Sequence, residues 1–84
     1  MTRFFLVERY TPEADPELVE RVNRLLSDPD SGTRHVGTVL VAAEEFWLSV
    51  FEAPDALAVT DVHDRAGLPV DRIVEAQWYP GQSI

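Results

Sequence analysis

Residues 3–10 read RFFLVERY, an aromatic and branched stretch with apolar side chains on both parities, the pattern of a central strand buried on both faces. Thr11-Pro12 breaks it. Asp15 followed by Pro16 is an N-cap with proline at the first helical position, where no amide hydrogen is needed. Leu18, Val19, Val22, Leu25 and Leu26 then recur at spacings of three and four, which predicts a helix to about Ser27 with Glu17, Glu20, Arg21 and Arg24 facing away. A turn at 28–32 leads into a β-prone run at 33–42, and Ala43-Glu44-Glu45 turns it into an aromatic strand at 46–52. Pro54 and Asp55 open a second amphipathic helix, with Gly67 as its left-handed cap and Pro69 stopping any continuation. Residues 73–78 are again strand-like.

The order β-α-β-β-α-β predicts an α+β, ferredoxin-like sandwich: a four-stranded antiparallel sheet, the first and third strands in its middle, both helices on one face. The other face is left bare. Alternation along the strands assigns Phe4, Leu6, Glu8 and Tyr10 to that face with Trp47, Ser49 and Phe51, and Phe5, Val7, Phe46, Leu48 and Val50 to the layer under the helices. Exposed aromatics in that number mark an interface or a binding cleft. The expectation is a homodimer through the open face, of the dimeric α/β barrel type. Residues 1–80 are expected to form one domain, with 81–84 a frayed tail.

A chain of 84 residues buries a modest share of its surface, so a partner would add to its stability. With no cysteine, neither a disulfide nor a thiolate site is available, and packing must hold the fold. Seven basic against fifteen acidic residues give a net charge of -8, which repels phosphate backbones and anionic lipid. Neither nucleic acid nor membrane is an expected partner. The start of the chain runs from Met1-Thr2-Arg3 into Phe4 and meets charge at Glu8, leaving no room for a signal peptide's apolar region, so a cytoplasmic location is expected. No run is long enough to span a bilayer.

Three residues attract attention as ligands. His35 lies early in the second strand, read as an exposed edge position, and His63 at the edge of the second helix's apolar stripe, where the helix dipole favours its charged form. Asp61 and Asp64 point in other directions from His63, so DVHD is not a chelating constellation. Glu8 interrupts a buried strand, and a carboxylate there must be paired, with Arg72 as one candidate, or serve as a ligand, acid or base. Thr38, Trp47, Ser49 and Phe51 complete an expected ligand cleft with Glu8. The run DPDSG at 28–32 lacks the remainder of a calcium loop and reads as a turn. No phosphate loop, nucleophile elbow or catalytic constellation is present.

The segments FFLVERY at 4–10, SVFEAPDALAV at 49–59 and AGLPVDRIVEA at 66–76 together resemble a family of small bacterial ferredoxin-like proteins long catalogued as a domain of unknown function, which includes a member described as nickel-binding. The resemblance implies the ferredoxin-like fold, dimerisation through the sheet and binding of a divalent metal such as Ni2+, with His35, His63 and Glu8 the metal-ligand candidates. It implies no enzyme activity. Family members often carry cysteine at the position of Ser49, so this chain lacks a soft ligand there. The competing expectation is a cofactor-independent monooxygenase or isomerase, or a small-molecule-binding protein, using the aromatic cleft around Trp47, Phe51 and Glu8.

Overall fold

The computed structural model describes residues 3–12 and 14–81. Its elements are β1 (Arg3–Tyr10), α1 (Pro16–Leu26), β2 (Arg34–Val41), a 3-10 turn at Ala42–Glu44, β3 (Phe46–Ala53), α2 (Ala56–Ala66) and β4 (Arg72–Ala76). They form an antiparallel sheet in the order β2-β3-β1-β4 with both helices packed against it, the ferredoxin-like arrangement expected. The tail at 82–84 lies outside the described residues.

Local chemistry accounts for the helix ends. Asp15 Oδ1 accepts the Leu18 N–H at 2.8 Å, and Asp55 Oδ1 accepts the Ala58 N–H at 2.9 Å. The cap of α2 is therefore Asp55, and Pro54 lies in the bend before it rather than in the helix. At the other end Gly67 takes φ +70°, its N–H reaches Asp64 O, and the Leu68 N–H reaches His63 O, which is a Schellman closure. Leu25, expected in the buried stripe of α1, is 49 % exposed, while Val22 and Leu26 are buried.

The core lies between sheet and helices. Phe5, Val7, Trp47, Phe51 and Ala53 come from the sheet, Val22 and Leu26 from α1, and Val59 and Val62 from α2. This overturns the expected placement of β3. Phe5 pairs with Phe51, Val7 with Ser49 and Arg9 with Trp47. Residues directly opposite one another share a face, so Trp47, Ser49 and Phe51 join Phe5 and Val7 under the helices. Phe46, Leu48 and Val50 lie on the open face with Leu6, Glu8 and Tyr10, to which they are paired. Both parities of β3 are apolar, and only the register with β1 distinguishes them.

β2 carries one irregularity that positions the site. His35 pairs with Phe51 and Thr38 with Ser49, and the register shifts by one residue between His35 and Gly37. The bulge at Val36 thereby turns two residues of opposite parity toward the same face. β4 ends at Ala76, short of the expected 78. Trp78 packs its ring 6.3 Å from that of Phe4. No helix among the described residues is long and apolar enough to cross a membrane.

Candidate functional site

A chain of polar groups crosses the layer between the sheet and the helices. It begins at Arg9, the last helix-facing residue of β1, whose side chain is only 4 % exposed. Arg9 Nη1 donates to Ser49 Oγ at 3.3 Å, and Ser49 Oγ lies 3.0 Å from Thr38 Oγ1. Thr38 Oγ1 donates to Asn23 Oδ1 on α1 at 2.9 Å. Its one proton is thus committed, so Ser49 must donate to it. His35 Nε2 is 3.1 Å from both Thr38 Oγ1 and Gly37 O. A carbonyl only accepts, so this nitrogen carries the hydrogen. Donors therefore run in one sense from Arg9 through Ser49 and Thr38 to Asn23.

Phe51 separates the two imidazoles. His35 stacks on its ring with centroids 4.8 Å apart, and His63 meets it edge-on at 5.3 Å. His63 is 1 % exposed, and its Nδ1–H donates to Val59 O one turn back in α2 at 2.7 Å. Its Nε2 is then a lone-pair acceptor, buried and without a partner. Burial holds the pKa of His63 below its ordinary value, the Val59 carbonyl opposes this, and the positive charges of Arg9 and His35 reinforce it. The expectation that the helix dipole keeps His63 charged is overturned, because loss of hydration outweighs the dipole in this layer. His35, expected to be exposed, is half-buried, and burial likewise lowers its pKa against the favourable Gly37 carbonyl.

Arg9 also lines a cavity of about 320 Å³ between the end of β1, α1 and the segment leading into β4. Its guanidinium sits 5.2 Å over the Trp47 ring, and Trp47 Nε1 donates to Thr11 Oγ1 at 3.0 Å. Leu18, Val22 and Val70 supply apolar wall, and Asp71 a carboxylate at the margin. Burial lowers the Arg9 pKa to about 10, partly offset by the charge of Asp71. Arg9 remains a cation at neutral pH. Its Nε and Nη2 have no hydrogen-bond partner among the described residues.

The expected site residues divide between the two faces. Thr38, Ser49 and His35 are in one hydrogen-bonded chain, and Trp47 and Phe51 flank it. Glu8 is on the open face, where it pairs in register with Arg72 and accepts from its Nε. Glu8 is therefore corrected out of the cleft, and the sheet separates it from both histidines. Among the described residues no group of three or more His, Cys, Asp or Glu side chains is placed to hold a metal ion. Two imidazoles beside a guanidinium, in a chain without cysteine, are a poor fit to a divalent transition-metal centre, which takes three or four protein donors.

Arg9, Asn23 and Thr11 were not anticipated. Arg9 was legible: it continues the Phe5, Val7 alternation and is the charged member of the helix-facing set. Asn23 follows Val19 by four residues and so falls on the apolar stripe of α1. For Thr11 the sequence carries no signal, because its partner Trp47 is distant in the chain.

No family model matches the chain, and no curated protein matches it. Among solved structures it is similar to the Streptomyces coelicolor A3(2) protein SCO4226, with a TM-score of 0.79 over 92 % of this chain and 99 % of that one. At 20 % identity this likeness establishes the ferredoxin-like fold and nothing further.

Proposed function

We propose that this chain is a small-molecule-binding protein whose ligand occupies the crevice between sheet and helices, and that two copies join through the open sheet face. The observation that supports the ligand site is the cavity of about 320 Å³ at the end of the polar chain, walled by Trp47 and apolar residues of α1. Mostly apolar walls with few convergent polar groups are the usual composition of a ligand pocket. The aromatic cleft is thus moved from the open face to the covered one. Binding is favoured over proton abstraction because Glu8, the carboxylate expected to act as a base, is on the other side of the sheet.

The test is fluorescence of Trp47 in a Trp78→Phe background, titrated with a panel of compact aromatic and aliphatic ligands. Saturable quenching by any of them supports the reading. A silent Trp47 together with saturable nickel binding by tag-free protein would transfer it to the metal-binding alternative.

Self-association rests on the uncovered apolar face: Tyr10 is 61 % exposed and Val39 57 %, alongside Phe46, Leu48 and Val50. A face of this kind on an 84-residue chain is covered most economically by its own copy. A cysteine-free composition is consistent with a cytoplasmic setting.

A further inference from the structure

We infer that the crevice beside Arg9 takes a small organic monocarboxylate, its carboxylate gripped by Arg9 and its apolar body lying between α1 and Trp47; this rests on the small-molecule reading above. Two of the three guanidinium nitrogens of Arg9 are without partners among the described residues. Nη1 is engaged by Ser49, whereas Nε and Nη2 are buried without partners. These two nitrogens lie on one edge of the planar guanidinium, whose parallel N–H groups are spaced to fit both oxygens of one carboxylate; both are closed to solvent in the unliganded chain, so an entering carboxylate must displace the side chains packed over them. A neutral ligand could accept from this edge but would leave its charge uncompensated.

No group among the described residues satisfies this edge. Among the described residues no carboxylate lies within ion-pair distance of Arg9. The nearby Asp71 is held elsewhere, its Oδ2 accepting the Tyr10 backbone N–H at 2.8 Å. A buried cation with no directly paired carboxylate among the described residues, only the more distant charge of Asp71, is costly, and an entering anion lowers that cost. Thr11 adds a second contact. Its Oγ1 accepts from Trp47 Nε1 and so keeps its own hydrogen free to donate.

The surroundings narrow the ligand class. Leu18, Val22, Trp47 and Val70 demand an apolar body. One guanidinium beside Asp71, in a chain of net charge -8, disfavours a dianion such as a phosphate monoester. A volume of about 320 Å³, room for about ten waters at about 30 Å³ each, accommodates benzoate or hexanoate with space to spare.

The experiment compares benzoate, hexanoate and the neutral isostere benzamide by calorimetry on the wild-type chain, and by Trp47 fluorescence in the Trp78→Phe background. Benzoate or hexanoate should bind about tenfold or more tightly than benzamide, since hydrogen bonds to a charged group are lost with the neutral ligand. Arg9→Met should abolish this preference and Arg9→Lys should retain part of it. Equal or tighter binding of benzamide to the wild-type chain would overturn the carboxylate assignment and leave the crevice reading standing. A preference for the anion that survives in folded Arg9→Met would do the same. Silence toward all three ligands would overturn both.

Discussion

His35 and Thr38 are three residues apart on an edge strand, yet both side chains face the helices, with His35 Nε2 at 3.1 Å from Thr38 Oγ1. In a regular strand residues so spaced point to opposite sides. The bulge at Val36 removes that opposition and allows one hydroxyl to gather contacts from β2, β3 and α1.

Thr38 is consequently the node of the polar chain. Thr38→Val keeps the shape and removes the hydroxyl, leaving Asn23 Oδ1 without its donor and Ser49 without its acceptor. A loss of about 1–3 kcal/mol is expected from such orphaned groups, read from urea unfolding with an unchanged slope. Ser49→Ala should cost at least as much, since it removes the hydrogen bond that the buried Arg9 guanidinium makes and a donor to Thr38.

Arg9→Met should not destabilise the unliganded protein. It replaces a buried cation holding one hydrogen bond at 3.3 Å with an unbranched apolar chain of similar reach. Removing a buried charge that has no ion-pair partner among the described residues should leave stability unchanged or raise it. A fall in the urea midpoint would show that the cation contributes to the fold and is not held in readiness for a ligand.

Acid should weaken the fold before its carboxylates titrate. Both imidazoles have folded-state pKa values below the ordinary 6.5, chiefly through burial. As pH falls through 6.5 the unfolded chain takes up protons that the folded chain resists, so stability decreases with falling pH from there to the folded values. The charges facing these rings are Arg9 on β1, which deepens the effect, and Asp64 on α2, which opposes it at His63. Thermal unfolding between pH 7.5 and 5.5 should show a declining Tm, with a shallower decline in His63→Gln. A Tm that rises on acidification would contradict the assignment of neutral imidazoles.

The open face can be tested without disturbing the core. Val39 lies on β2 opposite Leu48 and is largely exposed, so Val39→Arg should change monomer stability by less than about 0.5 kcal/mol. If two copies meet through this face, light scattering should give a dimer mass for the wild-type chain and a monomer mass for the variant. Identical masses would remove the face from the interface.

Gly67→Ala isolates a backbone effect. The residue has φ +70°, and a Cβ there meets nothing within 4 Å, so the cost is conformational and not steric crowding by neighbours. About 1–2 kcal/mol of destabilisation is expected by urea unfolding, with ligand binding at the Arg9 crevice unaffected.

The element order, the Asp15 cap of α1 and the glycine closure of α2 were determined by the sequence alone, because they depend on groups within a few residues: Asp15 on Leu18, Gly67 on Asp64. Alternation in β1 was equally local and placed Phe5 and Val7 under the helices correctly. Which parity of β3 joined them was decided only by tertiary structure. Phe46, Leu48 and Val50 are as apolar as Trp47 and Phe51, and burial cannot be read from composition when both faces qualify; the pairing of Phe5 with Phe51 resolved it. The candidate site followed from that register. Ser49 and Thr38, expected in a cleft with Glu8, and His35, expected to be an exposed edge residue, became a part-buried hydrogen-bonded chain on the helix-facing side. The bulge at Val36 and the antiparallel contact with β1 set them beside an arginine 40 positions from Ser49 in the chain, through contacts between strands that no local pattern records.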